Sequence, residues 1–199
     1  MQIKNLEFNF KLDNIYFRNC EYEDITQVIY VNRRTLPENY SRYTFLSMLR
    51  LYKDLFFVAV DVEKDAVIGY IMNKLDEGRS LFRKEEGVIL KGHVFSVGVL
   101  HEYRRRGIAS ALLALGFKAM MSRGVKEIFL EVRVSNIPAI KLYEKFRMKI
   151  VDELPKYYAD GENAYVMAVR VEDCEDIVDE IVDYLVKNGK IISGEENGI

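Results

Sequence analysis

The sequence predicts an α/β fold, one mixed sheet with helices on both faces. Three observations carry this prediction. Short β-branched or alternating apolar runs are interleaved with helical repeats along the chain. Hairpin strands come first and a β-α-β crossover sits in the middle, so the sheet must contain both antiparallel and parallel neighbours. No repeat, low-complexity tract or Pro/Gly/Ser-rich linker divides the 199 residues.

The elements follow from local signals. Ile15–Arg18 reads as a short strand. Glu23 or Asp24 opens a helix carrying Ile25, Val28, Ile29 and Val31, which ends before Pro37 because proline disfavours helix in the residue it follows. Ser41 supplies a capping hydroxyl for a second helix to about Tyr52. Strands Leu55–Asp61 and Ala66–Asn73 flank the polar turn Glu63-Lys64-Asp65. Residues 74–91, rich in charge and holding Gly78 and Gly87, read as a long hairpin loop before the strand His93–Leu100.

Ile108–Arg123 repeats apolar residues at helical spacing (Ile108, Ala111, Leu112, Leu115, Ala119), and Gly124 stops it. A strand Lys126–Val134 precedes a helix capped by Ser135, with Pro138 in its first turn, that runs to about Arg147. Lys149–Glu153 and Ala164–Val171 pair around Asp160-Gly161. Asp173–Lys187 is a last helix with Cys174, Ile177, Val178, Ile181 and Leu185 on one stripe. The order is β-α-α-β-β-β-α-β-α-β-β-α.

Composition narrows the function classes. Hydrophobic residues at 49% and charged residues at 30% give an ordinary globular chain that buries a core without staples. Cys20 and Cys174 are too few for a disulfide framework or a structural zinc site, so no metal is expected. Neither a signal-like N-terminus nor a run of 18 apolar residues occurs, which predicts a soluble, cytoplasmic protein with no membrane partner. The net charge of −2 hides an asymmetry. Nine acids against two lysines give −7 from Val171 to Ile199, leaving +5 on residues 1–170. That mild excess suits a small anionic ligand and not a nucleic acid.

The strongest chemical signal is the junction Val97-Gly98-Val99-Leu100-His101-Glu102-Tyr103-Arg104-Arg105-Arg106-Gly107-Ile108-Ala109-Ser110. A helix N-terminus exposes about four unpaired N–H groups and about half a positive charge. Gly107 and Ala109 let a phosphate approach those amides, and Arg104–Arg106 add charge at the mouth. Neither G-x-x-x-x-G-K-[ST] nor G-x-G-x-x-G is present, which disfavours kinase and dinucleotide readings, and H-E-x-x-H is also missing.

Arg104-x-x-Gly107-x-Ala109 after a strand resembles the pyrophosphate motif of the GNAT superfamily of acetyl-CoA-dependent N-acetyltransferases. Ser135-Asn136-x-x-Ala139-x-x-x-Tyr143-x-x-Phe146 resembles its second cofactor segment. The likeness spans about Ile15 to Val169. Leu36-Pro37-Glu38-Asn39-Tyr40, His93–Val99, Leu130–Asn136 and Tyr157–Gly161 are similar to the protein N-terminal acetyltransferases, particularly the archaeal Ard1-like or NatA-like kind.

The resemblance implies a GNAT-like domain over 1–171 and an acidic helix and tail over 172–199. It implies acetyl-CoA as cosubstrate and N-terminal segments of proteins as acceptors. Acetyl-CoA is then held by backbone groups of Val97, Gly98 and Val99, by the stretch Arg104, Arg105, Arg106, Gly107, Ile108, Ala109 and Ser110, and by Asn136 and Tyr143. Glu131 and His93 are the implied proton acceptors, and Tyr143 the donor to the departing thiolate. Leu36, Glu38, Tyr40, Tyr157 and Tyr158 wall the peptide entrance.

Plainer readings exist beside these. By strand alternation Glu131 shares a side with Phe129 and Arg133, so it could be a surface carboxylate paired with Arg133. His93 could be a strand-end residue, and Tyr143 could pack in the core with Ile140 and Phe146. A GNAT acting on a lysine or a small amine, or an acyl-CoA-binding module without turnover, are the alternative functions. The stripe of the last helix must be buried on the domain or against a second copy, which would make a homodimer, and Ser193–Ile199 should fray.

Overall fold

In the computed structural model, which describes residues 10–12, 14–82, 87–188 and 190–191, hairpin pairing and one crossover build a single sheet. The elements are β1 (Phe10–Leu12), β2 (Ile15–Asn19), α1 (Ile25–Thr35), α2 (Arg42–Tyr52), β3 (Phe56–Asp61), β4 (Ala66–Gly78) and β5 (Ile89–Val99). They continue with α3 (Ile108–Ser122), β6 (Glu127–Arg133), α4 (Ile137–Lys145), β7 (Lys149–Leu154), β8 (Ala164–Arg170), α5 (Val171–Asn188) and β9 (Lys190–Ile191). The strand order is β7-β8-β6-β5-β4-β3-β2-β1-β9. Every neighbouring pair is antiparallel except β5 with β6. This is the predicted mixed α/β sheet.

Local chemistry accounts for most boundaries. The Ser41 side chain accepts the Thr44 amide and starts α2 as expected. Gly124 and Gly161 take positive φ, 81° and 86°, where the last helical turn of α3 and the β7–β8 turn reverse the chain. The cap of α4 is Asn136 and not Ser135: Asn136 Oδ1 accepts the Ala139 amide, while the Ser135 amide is taken by Glu162.

The hairpin between β4 and β5 departs from the sequence reading. Residues 74–78 and 89–91 are strand and not loop, paired from Lys74 opposite His93 to Gly78 opposite Ile89. Charged residues hid this extension. Cross-strand pairing and the anchoring of Ser80 and Leu81 on the buried Glu127 carboxylate offset their poor strand propensity.

All six residues of β3 are buried, and α3 is buried nearly all round, because β3, β4 and β5 cover one side of it and α5 the other. Cys174, Val178, Val182 and Leu185 of α5 form the stripe that seals it. Lys118 of α3 pairs with Asp179 at 2.6 Å, and Arg147 holds Asp176 at 2.8 and 2.6 Å and the Asp173 carbonyl at 2.7 Å. The apolar face of the acidic helix is therefore consumed within its own chain. A homodimer through that face is not supported, since no unpartnered stripe is left to drive it. The expected fraying of Ser193–Ile199 lies outside the described residues. Among the described residues no helix is long and apolar enough to cross a membrane.

Leu185 is 1% exposed at the far end of this stripe. Leu185→Ala should lower unfolding stability by about 2–3 kcal/mol in denaturant titration. A loss under about 0.5 kcal/mol would mean that α5 is not seated as described.

Candidate active site

The site begins where two parallel strands stop pairing. β5 and β6 are in register only from Lys91–Glu127 to His93–Phe129. Just beyond, the β4–β5 register shifts so that Met72 faces Ser96 while Asn73 faces Val94, leaving Phe95 as an extra residue. Such a bulge bends its strand. β5 thus turns from β6, which stays paired with β8 through Arg133. The edge of residues 94–99 that faces β6 has no strand partner, and a cavity of about 610 Å³ opens there.

Sequence-predicted residues from both termini of the reaction line this cavity. His93, Val97, Glu131, Asn136 and Tyr143 surround it with Leu36, Glu38, Tyr40, Tyr157 and Tyr158. At its closed end His93 is 9% exposed, its Nε2 lies 2.8 Å from Glu131 and its ring stacks on Phe129 at 4.3 Å. The other ring nitrogen, Nδ1, meets Asp76 at 3.1 Å, and Asp76 also accepts Lys74 Nζ at 2.9 Å. Asp76 was not visible as a site residue in the sequence, because it lay in the stretch read as loop. Had the strand been extended, Lys74 opposite His93 would have put Asp76 on the histidine's face.

Alternation along β6 holds, yet Glu131 does not pair with Arg133. Arg133 donates to Glu38 at 2.9 and 2.5 Å, to Asp160 at 2.8 Å and to Glu162 at 2.6 Å, and its guanidinium lies 4.1 Å over the Tyr158 ring. Burial works against the charge on Arg133, but its hydrogen bonds to Glu162, Glu38 and Asp160 outweigh that and raise its pKa. This one side chain ties the α1–α2 connection to the β7–β8 loop across the cavity mouth. It also commits the Glu38 carboxylate to an ion pair. The sequence carried Arg133 only as a partner for Glu131, because three-way convergence of separate loops leaves no local pattern.

Burial pushes the Tyr143 phenol up to about 12, and burial with the nearby Glu38 carboxylate lifts Tyr40 to about 12 as well. Tyr157 and Tyr158 are raised too, by burial first and then by Glu131 and Glu38. All four stay protonated at neutral pH and so remain hydrogen-bond donors. Tyr143 is both core and site: 7% exposed, it reaches the cavity from a helix whose Phe146 packs on Phe117 at 5.2 Å.

The predicted anion cradle lies at the start of α3. Gly107 is its N-cap at φ +81°, and Arg105 precedes it at φ +64°. No side chain caps this helix, and its first backbone bond runs from the Ala111 amide to the Gly107 carbonyl. The amides of Ile108, Ala109 and Ser110 are left without helical acceptors. A Cβ on Gly107 would meet nothing within 4 Å, so the approach is open. Arg104 turns back to donate to the Val99 carbonyl at 3.1 Å, and Arg106 lies 5.5 Å from the Tyr103 ring. Tyr103 in turn donates to the buried Asp61 at 2.7 Å and accepts from Lys64 at 2.6 Å, which fixes the turn leading into the cradle.

Two predicted positions have other duties here. A Cβ on Gly98 would stand 2.5 Å from Thr35 Oγ1 and 3.2 Å from Tyr70, so this glycine admits α1 against β5. Val99 is buried at 7%. Neither lines the 610 Å³ cavity with a side chain, so any ligand contact they make is through the backbone. Arg106, Gly107, Ile108 and Ser110 line a second cavity of about 520 Å³, together with Ile181, Tyr184 and Leu185 of α5.

Comparison with known proteins places this geometry. The family model of the acetyltransferase (GNAT) family matches residues 22–147. The chain is 50% identical over 152 residues to an N-alpha-acetyltransferase of Saccharolobus solfataricus, covering 76% of this chain and 90% of that relative. Among solved structures it superposes on a chain of the NatC complex bound to Gag peptide and CoA, with TM-score 0.71 and 25% identity, covering 79% of this chain and 98% of that one. It also matches Chaetomium thermophilum Naa20 in complex with a bisubstrate analogue, with TM-score 0.69, 26% identity, and 80% and 88% of the two chains covered. With its parted central strands and its uncapped helix start, the chain belongs to the GNAT acetyltransferase family.

Proposed function

We propose that this protein transfers the acetyl group of acetyl-CoA directly to the α-amine of protein N-termini. One observation carries the reading best: the gap between β5 and β6 has a His93–Glu131 pair at its closed end and a wall of protonated tyrosines at its mouth. Residues 1–171 are the catalytic unit in this reading, and the helix that follows buttresses the cradle end of α3.

The residues present fit acetyl-CoA. The open amides of Ile108, Ala109 and Ser110 beside Arg104, Arg105 and Arg106 suit a pyrophosphate. The edge of β5 away from β4 offers backbone groups of Val97 and Val99 to an extended amide-bearing arm, with Gly98 between them keeping that stretch slim. Asn136 uses Oδ1 for its cap, which leaves its amide NH2 available as a donor beside the cavity. Acetyl-CoA supplies the activated thioester, and the protein's part is to position it and move protons.

The acceptor chemistry favours an N-terminus. An α-amine has a pKa of about 7.7–8.0, so roughly 10–15% is free base at pH 7, whereas a lysine near 10.4 is almost wholly protonated. A base of modest strength is then sufficient. Glu131 and His93 take the amine proton through water, the nitrogen lone pair attacks the thioester carbonyl, and Tyr143 protonates the leaving thiolate. Most of the rate comes from holding amine and thioester in attack geometry. Leu36, Glu38, Tyr40, Tyr157 and Tyr158 orient the peptide, with Arg133 holding Glu38 and Tyr158 in place. The Arg133 bridge between the α1–α2 connection and the β7–β8 loop restricts one side of the cavity, which suits a chain end better than a side chain in mid-sequence.

Acetyl-CoA with peptides starting Ser, Ala, Met-Leu or Met-Glu, run beside N-terminally blocked lysine peptides, should label the free N-termini. Preferential labelling of the blocked lysine peptides would overturn the reading. Glu131→Gln combined with His93→Ala should cut turnover at least about 100-fold while acetyl-CoA affinity stays within a few-fold. Unchanged turnover would remove both residues from the proton path. Gly107→Glu places a carboxylate at the open approach to the amides and should weaken acetyl-CoA binding about tenfold or more by calorimetry. Unchanged affinity would place the phosphates elsewhere.

A further inference from the structure

Asp76 has no role in the mechanism so far, yet it closes a chain of three ionisable groups. Its carboxylate meets His93 Nδ1 at 3.1 Å while Glu131 meets Nε2 at 2.8 Å. A neutral imidazole has one N–H and one lone pair, so it cannot donate to both carboxylates. With one proton in the trio, one contact sets a nitrogen lone pair against a carboxylate oxygen. With two protons, both contacts are hydrogen bonds. The trio therefore offers two proton places, and a state able to accept a proton from an amine has one of them empty.

Which place empties depends on what holds each end. Burial opposes ionisation of Asp76, but hydrogen bonds from Lys74 and His93 outweigh it and hold the carboxyl below its usual range. Asp76 therefore stays an acceptor facing Nδ1. The opposite place, between Nε2 and Glu131, borders the cavity. We propose that Asp76 is a positioning residue for amine deprotonation: it keeps the Nδ1–H of His93 turned to itself, so that the proton place which empties and refills is the one shared by Nε2 and Glu131.

The inference rests on the reading of His93 and Glu131 as the proton acceptors. In the step, an amine N–H bond breaks and its proton passes through a solvent water to the Nε2–Glu131 place. The electron pair left on nitrogen forms the bond to the acyl carbon as the carbon–sulfur bond breaks, and solvent later removes the stored proton. The surrounding charges leave one lever on this arrangement. Lys74 touches Asp76 directly, whereas Lys91 lies over the far ring of Phe129 at 5.3 Å. Glu38 is neutralised by Arg133, and Tyr40, Tyr157 and Tyr158 stay uncharged.

Removing the Asp76 charge and removing the Lys74 charge should therefore act in opposite senses. Asp76→Asn withdraws a negative charge from the loaded imidazolium, so the trio gives up its proton at lower pH. The acid limb of the kcat–pH profile should move down by about one unit. The plateau kcat should fall about tenfold as ring orientation is lost, with KM for acetyl-CoA within about twofold. Lys74→Met withdraws a positive charge and should move the same limb up. Thermal unfolding of each variant accompanies the kinetics, and Lys74→Met, on a half-buried site, tests the sign even if Asp76→Asn folds poorly.

Limbs that move together, or stay with the parent enzyme, would overturn the role of Asp76 while leaving the base assignment standing, provided that the His93/Glu131 double variant is inactive. If that double variant keeps full turnover, the base assignment and the role of Asp76 both fail.

Discussion

The parting of β5 from β6 is the constraint on which the rest of this structure depends. Two parallel strands that paired to their ends would satisfy each other's backbone groups and leave no room between them. Here pairing stops at His93 and Phe129, and the extra residue Phe95 bends β5 away. Unpaired backbone polar groups are costly when buried, so such a gap persists only where water or a ligand can reach it. β5 leads in chain order to the start of α3, whose first amides carry no side-chain cap.

Around this gap the buried polar groups do two kinds of work. One set holds loops in place. Asn32, fully buried on α1, donates to the Glu38 carbonyl at 3.1 Å and to the Tyr70 hydroxyl at 3.0 Å, and Tyr70 shares a 2.7 Å bond with Ser96 on β5. The α1–α2 connection is thus tied from beneath by this network and from the side by Arg133. The other set links ionisable side chains to one another. His93 on β5 and Glu131 on β6 line the cavity, and Asp76 on β4 meets the histidine from outside it at 3.1 Å. The ionisable trio thus sits on strands, while Tyr40, Tyr157 and Tyr158 sit on connections tied by Arg133 and Asn32.

The acidic last helix has a simpler explanation than its charge suggested. Its apolar stripe completes the burial of α3, and among the described residues three of its carboxylates find cations on the domain, Lys118, Arg147 and Arg170. α3 is too apolar to face water on its outer side. The helix lies beyond the region covered by the family model, yet it lines the cavity at Gly107, so it shapes the end of the molecule where an anion would sit.

Much of this was legible in the residues alone, because it depends on neighbours in sequence. Period-2 and period-3.6 patterns, Ser41 as a cap, Gly124 as the stop of α3 and the order of the elements from β2 to α5 all arise within a few residues of backbone, whereas the short strands β1 and β9 gave no such signal. So does the uncapped start of α3, since it depends only on its own backbone. The tertiary structure alone decided who meets whom across the sheet: Arg133 with Glu38, Asp160 and Glu162 and not with Glu131, Asp76 with His93, and α5 with α3. Those pairings join residues far apart in the chain, and their energies depend on register, burial and loop closure, which no local run of residues encodes.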